Sequence, residues 1–586
     1  MQPSSDKGTA SRTRGLRRWG PLIGIVAVLA VVAGVVIVAG GGDDGDDDGG
    51  DGQEAVSGED LNEGVLTFNA AEEEGVDVEW PETCDTERGR IAVPFFFAPE
   101  CYAPLDPETN PGPFDGENGG ETATGVTADT VEVVYYLGPE VNPVIDFIRE
   151  DVSDDTNAQR AETIEAFTRF FNEYWETYGR EVEVQIFEGT GPAEDEVAAR
   201  ADAVTIAEEI QPFAVLGGPL LNDAFADELA ARQIPCIGCT LGQPTEFYLE
   251  REPYVYGVTP NPEQSQAYTA EFISTQLADE AAEFAGDESL QDQDRVFGLV
   301  FLEFDEDAQA QIDRFEEQLN DQGVELAVRV PYADPLSLQT TASNVIARLK
   351  DAGVTTVLYA GDPIAPRTLT QEATAQDYFP EWVLTGTQTL ADTTTFARSY
   401  DQEQWAHAMG VTYLSARGDP NNQGYFFLHE WYTGEDPPAD DEVLVLIPNL
   451  NLFFAGLQNT GPDVTAENFN RGMFTLPSTR VLTEGESPLT QPTISFGDRG
   501  VWPETDYLGI DDATVIWWDA EASGPDERGD EAQGMYQYVE GGERYLPGEW
   551  PDEQLILFDP EHAEDLYEER PPLEQVPEYP SPAAGG

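Results

Sequence analysis

The stretch FAVLGGPLLNDAFADELAARQIPCIGCT, residues 213–240, contains two apolar segments separated by a helical one. FAVLGG is typical of a buried strand that runs into a glycine turn, and IPCIG is typical of a second strand. The intervening NDAFADELAARQ is long enough for a helix. A strand, a helix and a strand in this order predict a parallel sheet that is covered by helices.

The same alternation extends in both directions from this stretch. Before it, strands are predicted at 131–137 and 181–187, with an amphipathic helix at 158–179 between them. After it, the pattern restarts with predicted strands at 294–301, 324–330, 354–361 and 381–387. Two such runs predict two doubly wound lobes, and ligands bind such sheets beyond the carboxyl ends of the strands. We therefore expect a cleft between the lobes that closes by a hinge motion.

The predicted fold class is α/β: two doubly wound parallel-sheet lobes with a hinge and an inter-lobe cleft, plus one N-terminal transmembrane helix. The predicted segments are a basic N-terminus (1–18), the transmembrane helix (19–42), an acidic Gly/Asp linker (43–62), an N-terminal extension (63–125), lobe one (126–255, with part of 390–475), lobe two (256–389), a β-rich C-terminal segment (476–570) and a disordered tail (571–586).

The N-terminal segment favours a membrane anchor. Four arginines precede an uncharged run from Trp19 to Gly42. As a helix, about 20 residues at ~1.5 Å each span the ~30 Å hydrocarbon core of a bilayer. The basic flank is expected to stay in the cytoplasm, which places the rest of the chain outside the cell. A cleaved signal peptide is the alternative, although its apolar region is normally only about 7–15 residues long.

The net charge excludes one class of partner. The chain has 114 acidic and 28 basic residues, a formal net charge of −86. Nucleic-acid phosphates would be repelled by this field, so no nucleic-acid partner is expected. The acids are spread along the whole chain, which indicates a surface adapted to salt or kept soluble by charge. Selection for cationic ligands is the alternative interpretation.

The four cysteines form two local pairs, Cys84 with Cys101 and Cys236 with Cys239. Outside the membrane thiols tend to oxidise, so two structural disulfides are predicted. A redox centre and a zinc site are the alternatives for such spacings. The three histidines of the chain are far apart in sequence. We predict no metal site and no cofactor.

In the order and spacing of several stretches the chain resembles the type I periplasmic solute-binding proteins. This group contains the branched-chain amino acid and amide binders of ABC importers. The resemblance covers about residues 125–475, and the leader at 84–104 looks like that of actinobacterial members. The stretches that carry it are GVTADTVEVVYYLGP (125–139), FAVLGGP (213–219), IPCIGCT (234–240), YVYGVTPNPEQSQAYTAEFI (254–273), GVTTVLYAG (353–361) and LFFAGLQNTGPDVTAENFNRGMF (452–474).

The resemblance implies a solute held by loops from both lobes. In lobe two, Asp362 stands where an aromatic residue is common, and Gln388 stands where amino acid binders carry an acid. These departures weigh against an α-amino acid ligand, although Asp362 would suit a cation and Gln388 an amide. The implied ligand contacts are Gly138, Gly218, Leu221, Asn222, Gly238, Cys239, Thr240, Phe304, Asp305, Asp362 and Gln388.

The function that the resemblance implies is capture of a small polar solute, such as an amino acid or an amide, for an ABC importer. The chain would be a membrane-tethered extracellular protein with permease and ATPase partners, and it would perform no catalysis. A ligand-binding sensor subunit that acts with a signalling partner is one alternative. An extracellular enzyme is another, although the chain contains no G-x-S-x-G, H-E-x-x-H or Walker A motif.

Overall fold

The computed structural model describes most of the chain beyond the N-terminal segment. The predicted transmembrane helix (19–42) and nearly all of the acidic linker lie outside the described residues. The described residues are 61–95, 98–104, 117–139, 153–303, 306–333, 335, 338–386, 390–414, 424–477, 492–564 and 578–585.

The described part of the N-terminal extension contains one helix and four short strands. They are β1 (Val65–Thr67), α1 (Phe68–Glu74), β2 (Cys84–Asp85), β3 (Arg90–Ile91) and β4 (Tyr102–Pro104). Strand β1 pairs with β4 and β2 with β3, both antiparallel. A disulfide joins Cys84 to Cys101, which confirms the predicted pair.

Lobe one is built on a five-stranded sheet in the order β6-β5-β7-β8-β9, in which all neighbours are parallel. Its strands are β5 (Thr130–Leu137), β6 (Glu181–Glu188), β7 (Ala214–Leu216), β8 (Cys236–Ile237) and β9 (Val255–Tyr256). Its first helices are α2 (Asn157–Tyr174), α3 (Glu196–Thr205, continued by a π turn at Ile206–Ile210), α4 (Ala224–Ala231) and α5 (Thr245–Leu249).

Helix α2 shows why these segments fold as they do. Thr156 and Gln159 form a capping box at its start, which satisfies backbone N–H groups that a helix leaves without partners. Ile164, Phe167 and Phe171 then fall on one face and are buried in the core of the lobe. The amphipathic pattern of the sequence therefore decides which side of the helix faces the sheet.

Lobe two repeats this plan. Its parallel strands lie in the order β11-β10-β12-β13-β14. Numbered by their order along the chain within each lobe, the strands of both sheets therefore lie in the order 2-1-3-4-5. The helices are α6 (Pro262–Phe272, continued by a π turn at Ile273–Leu277), α7 (Glu288–Gln291), α8 (Glu306–Asp321), α9 (Ala342–Asp351), α10 (Ala365–Ala375), α11 (Thr394–Ala397) and α12 (Gln402–Trp405). The strands are β10 (Phe297–Leu302), β11 (Leu326–Tyr332), β12 (Thr356–Ala360), β13 (Glu381–Thr385) and β14 (Ala408–Thr412). This is a doubly wound arrangement, as predicted.

After β14 the chain returns to lobe one and then goes back to lobe two. The returning helices are α13 (Gly424–Thr433), α14 (Val443–Thr460) and α15 (Ala466–Phe474), of which α14 packs against α2. The last strands are β15 (Ala513–Pro525), β16 (Glu531–Val539), β17 (Arg544–Tyr545) and β18 (Ala563–Glu564). Strand β15 pairs antiparallel with β14, and β16 and β18 follow it outward, while β17 also pairs with β15.

Two predicted boundaries need correction. Lobe two does not end at 389, because β14 pairs with β13 and completes the parallel part of its sheet. The β-rich C-terminal segment is a continuation of that same sheet, which makes it nine-stranded. The tail (571–586) is predicted to be disordered, but within its residues 578–585 Tyr579 and Ser581 form hydrogen bonds with other parts of the chain. Tyr579 hydrogen-bonds Asp85 in the extension, and Ser581 donates to the carbonyl of Trp431 in α13.

Helix α14 is the one helix in the described part of the chain that is long and apolar enough to cross a membrane. It lies in the core of lobe one, with 89% of its 18-residue apolar window buried. Its hydrophobicity is therefore explained by packing against α2 and α15.

The chain crosses between the lobes three times. The first crossing joins β9 to α6, the second follows β14, and the third runs through 492–512. The first and third crossings touch, because the N–H of Gly257 donates to the carbonyl of Tyr507 over 2.7 Å. The Gln264 side chain then donates to the Asp506 carboxylate over 3.0 Å. We call this region the hinge, because the predicted hinge motion would take place there.

The hinge contains buried carboxylates whose titration affects stability. Burial raises the pKa of Asp506 to about 6, although backbone N–H groups and Gln264 oppose the shift. Burial and the charge of Asp506 raise the pKa of Asp511 well above its ordinary value. Asp512 lies beside them and is paired with Arg544. The folded chain therefore binds protons here more tightly than the unfolded chain does.

We expect the stability of the protein to fall as the pH rises from about 4 to about 6. The contribution of Asp506 is fully present below its unfolded pKa of 3.8 and is lost as the pH passes its folded pKa of about 6. Melting temperatures measured in about 1 M salt, which screens repulsion between surface acids, will report this slope. Asp506→Asn should make the fall in melting temperature with pH less steep. An unchanged slope in that variant would contradict the assignment to Asp506.

Candidate functional site

Segments that follow strands of the two sheets come into contact at one point. The loop after β8 of lobe one touches α8, the helix after β10 of lobe two, because the Gln311 side chain donates to the carbonyl of Gly242 over 3.4 Å. The carboxyl ends of the strands are the position at which doubly wound sheets bind ligands. The cleft between the lobes stays a prediction.

Gly218 and Cys239 bring two lobe-one loops into direct contact. A Cβ on Gly218 would lie 2.6 Å from the carbonyl oxygen of Cys239, so a larger residue does not fit without displacing this backbone. Cys239 lies two residues after the end of β8 and forms the predicted disulfide with Cys236, the first residue of that strand. The disulfide therefore fixes the loop against which Gly218 packs.

Asn222 and Thr240 hold the same two loops together. The Thr240 hydroxyl donates to the carbonyl of Asn222 over 3.2 Å. The Asn222 side chain donates to the carbonyl of Ala193 over 2.7 Å and accepts from the N–H of Ala224 over 3.0 Å. Both side chains are buried. The structure therefore gives them a positioning role in the loops, and the predicted direct contact with a solute stays a prediction.

The loops of lobe one also carry exposed and half-buried groups. Gly138 is exposed at the carboxyl end of β5, and a Cβ placed there would meet no atom of the described residues within 4 Å. Leu220, Leu221 and Leu241 are half-buried in the chain segments that follow β7 and β8, and so are Asp223 and Gln243. These loops of lobe one therefore present both apolar and polar side chains.

Asp362 in lobe two is engaged by the protein itself. One carboxylate oxygen accepts from the Tyr332 hydroxyl over 2.6 Å, and the other accepts from the N–H groups of Ile364 and Ala365 over 2.8 and 2.9 Å. Burial raises the pKa of Asp362, and these hydrogen bonds oppose the shift. These bonds give Asp362 a structural role at the start of α10, and its predicted contact with a ligand stays a prediction.

The other predicted lobe-two contacts cannot be placed in the same way. Phe304, Asp305 and Gln388 lie outside the described residues. Their involvement in ligand binding stays a prediction.

Asn449 is a polar residue near the site that sequence reasoning missed. It lies in the apolar helix α14, and a Cβ on Gly238 would be 2.9 Å from its side-chain nitrogen. Its side-chain oxygen is buried without a donor among the described residues. The signal in the sequence is the pair of asparagines in LIPNLNLFF, residues 446–454, since a buried amide in such a segment requires a partner. Because Gly238 has no side chain, the carboxamide of Asn449 can lie close to the carboxyl end of β8.

No protein-family model matches this chain, and no curated protein does. Solved structures of ABC transporter solute-binding proteins are similar to it. A solute-binding protein of Rhodopseudomonas palustris in complex with 3,4-dihydroxybenzoic acid is 14% identical, with 70% of this chain and 97% of that chain covered and a TM-score of 0.45. An ABC transporter substrate-binding protein of Sphaerobacter thermophilus is 12% identical, with 72% and 98% covered and a TM-score of 0.48.

The branched-chain amino acid transporter substrate-binding protein LivJ of Streptococcus pneumoniae, in complex with isoleucine, is 10% identical. The comparison covers 70% of this chain and all of that chain, with a TM-score of 0.44. The chain is thus similar to the group of proteins that its sequence resembles.

Proposed function

We propose that this chain is a solute-binding protein that captures a small molecule between its two lobes and delivers it to an ABC importer. The observation that supports the proposal most directly is the pair of parallel sheets with the same strand order, whose segments after β8 and β10 touch at Gly242 and Gln311. Closure of such lobes around a solute is a hinge motion, and it provides binding without catalysis. The partners would be the permease and ATPase subunits of the importer.

The proposed solute has an apolar portion together with hydrogen-bonding groups. The apolar portion fits the half-buried leucines of lobe one, Leu220, Leu221 and Leu241. Hydrogen-bonding groups would be met by the backbone beyond the strands, as is usual where a few polar groups orient a ligand in an apolar site. Asp362 is 1% exposed and already accepts three hydrogen bonds from the protein, which weighs against a cationic group at this position. Amides and apolar amino acids are the first compounds to test.

We also propose that the chain is held outside the cell by one N-terminal helix. The support is the uncharged run from Trp19 to Gly42 behind four arginines, which has the length and the basic flank of a single-pass anchor. The acidic stretch 43–62 would then act as a tether, since its aspartates and glycines cannot bury apolar surface.

The experiment is a ligand search on the full chain in detergent. Mass spectrometry identifies any small molecule that co-purifies, and a thermal-shift screen then tests amides, amino acids, polyamines and short peptides. A ligand present at 100 times its dissociation constant should add about 2.7 kcal/mol of stability. A solute that binds in a 1:1 ratio and is recovered unchanged supports the proposal. Turnover of the compound would contradict it and indicate an enzyme.

Gly138→Leu is expected to abolish binding of the identified solute without unfolding the protein. The position is exposed at the end of β5, and a side chain there extends into open space at the cleft instead of into the core. Calorimetric titration measures the affinity, and the melting temperature without solute measures folding. Ala201→Leu, at an exposed position of α3, is the matched control and should leave both unchanged. Full affinity in Gly138→Leu would place the solute elsewhere.

A further inference from the structure

Three carboxylates meet beside lobe one at a place that the solute-binding proposal does not use. Asp154 and Asp155 precede α2, and Asp441 precedes α14, so the residues are distant in the sequence. One carboxylate oxygen from each lies within 4.8 Å of the others. Among the described residues, no arginine or lysine forms an ion pair with any of the three. The neighbouring Arg160 is paired with Glu442 instead, over 2.5 Å.

Asp155 has an oxygen that the protein leaves without a partner. The residue is only 2% exposed. Its Oδ2 accepts from the N–H of Glu442 over 3.0 Å, but its Oδ1 is buried and has no donor in the described part of the chain. A buried carboxylate oxygen without a partner raises the free energy of the folded state, because it has lost its hydrogen bonds to water and gained none from the protein.

The surrounding contacts hold the three residues in place. The N–H of Asp154 donates to Asp441 Oδ2 over 3.1 Å, which links the two segments directly. The Ser153 hydroxyl donates to Glu442 over 2.6 Å, and Glu442 is in turn fixed by Arg160. These contacts fix the backbone of Asp154 and the carboxylates of Asp155 and Asp441, so the fold brings the two segments together.

We propose that Asp154, Asp155 and Asp441 bind a divalent cation of the calcium type. Carboxylate oxygens are the ligands that hard cations prefer, and calcium accepts about six to eight oxygens, with water completing the set. A bound cation would give the orphaned Oδ1 of Asp155 a partner and would neutralise the repulsion among the three carboxylates. The sequence predicts no metal site because the ligands come from two segments that meet only in the folded chain.

The proposed cation site lies close to the predicted cleft. Asn157, two residues after Asp155, donates from its side chain to the carbonyl of Gly138 over 2.9 Å. A cation would therefore join the starts of α2 and α14 next to the carboxyl end of β5. This inference goes beyond the proposed function, because cation binding is measured without any solute.

The test is calorimetric titration of calcium chloride into the full chain in detergent, after chelator treatment and at constant ionic strength. One saturable site is expected, with a dissociation constant of roughly 10⁻⁴–10⁻³ M, as in extracellular modules, and with weaker binding of magnesium. Calcium should also raise the melting temperature. Asp155→Asn should weaken this site by roughly tenfold or more.

Two further variants control for the very acidic surface. Asp154→Asn changes an exposed residue, so it tests the site without endangering the fold, and it should also weaken calcium binding. Glu165→Gln removes one charge from the exposed face of α2 and should leave the site intact. The absence of a saturable site overturns the proposal, and so does equal calcium affinity in Asp154→Asn and Glu165→Gln.

Discussion

Arg295→Met is expected to destabilise lobe two by about 3–5 kcal/mol. Arg295 and Glu381 form a two-pronged ion pair, with Nε–Oε2 and Nη2–Oε1 distances of 2.8 and 3.0 Å. Their side chains are 2% and 0% exposed. Glu381 begins β13 and also accepts from the Thr356 hydroxyl over 2.6 Å. Removal of the guanidinium leaves a buried carboxylate with no opposite charge, in the middle of the sheet. Denaturant unfolding of the full chain measures the loss.

Two variants make this prediction specific. Arg200→Met removes an arginine that is 46% exposed and pairs with Asp227 and Glu228 on the surface, and it should cost at most about 1 kcal/mol. The double variant Arg295→Met/Glu381→Leu removes both buried charges and should recover part of the loss, since a buried pair is often replaced by apolar residues at little cost. Equal losses in Arg295→Met and Arg200→Met would contradict the role assigned to the pair.

Cys84→Ala/Cys101→Ala is expected to cost about 3 kcal/mol, the second-largest effect we predict. The two cysteines are separated by 17 residues, and their disulfide closes a loop within the N-terminal extension. Without it the unfolded extension gains the freedom that the cross-link removes, while the folded state gains nothing. The extension should then unfold at a lower denaturant concentration than the lobes. Hydrogen exchange of backbone amides, read separately for the extension and for the lobes, measures this difference.

The second disulfide provides the comparison. Cys236 and Cys239 are separated by three residues, so the same chain-entropy argument gives an effect about 1 kcal/mol smaller. The Cys236→Ala/Cys239→Ala variant should instead affect solute affinity, because Gly218 packs on the backbone of Cys239. A larger loss of stability in this pair than in Cys84→Ala/Cys101→Ala would show that loop length does not decide the effect.

The two parallel sheets can be predicted from the sequence, because strands that are buried on both faces appear as continuous apolar runs. FGLVFL in β10 and TVLYA in β12 are wholly buried. The fifth strand of lobe two is harder to recognise. AMGVT in β14 is short, and its pairing with β15 is decided by contacts such as Met409 opposite Trp517, which are distant in the sequence. Periodicity contains no information about such partners.

The residues of the candidate site can likewise be predicted from the sequence only in part. Gly218 and Gly238 can be found from the sequence, because a glycine after a strand marks a close approach of the backbone. The role of Asp362 cannot, since an acidic residue in a loop looks the same whether it faces a ligand or caps a helix. The sequence also does not show that Asp155 and Asp441 are neighbours in space, because only the packing of α14 on α2 brings their loops together.

The three crossings between the lobes have a consequence for biogenesis. A ribosome produces the N-terminal end first, yet the core of lobe one requires α14 and α15, and the sheet of lobe two continues to Glu564. Neither half is a contiguous piece of the chain that could mature alone during synthesis. Truncation before β15 would leave β14 as an open edge, which is a template for aggregation. Nearly the whole polypeptide must be made before either half is complete, so expression of separated halves should give insoluble material.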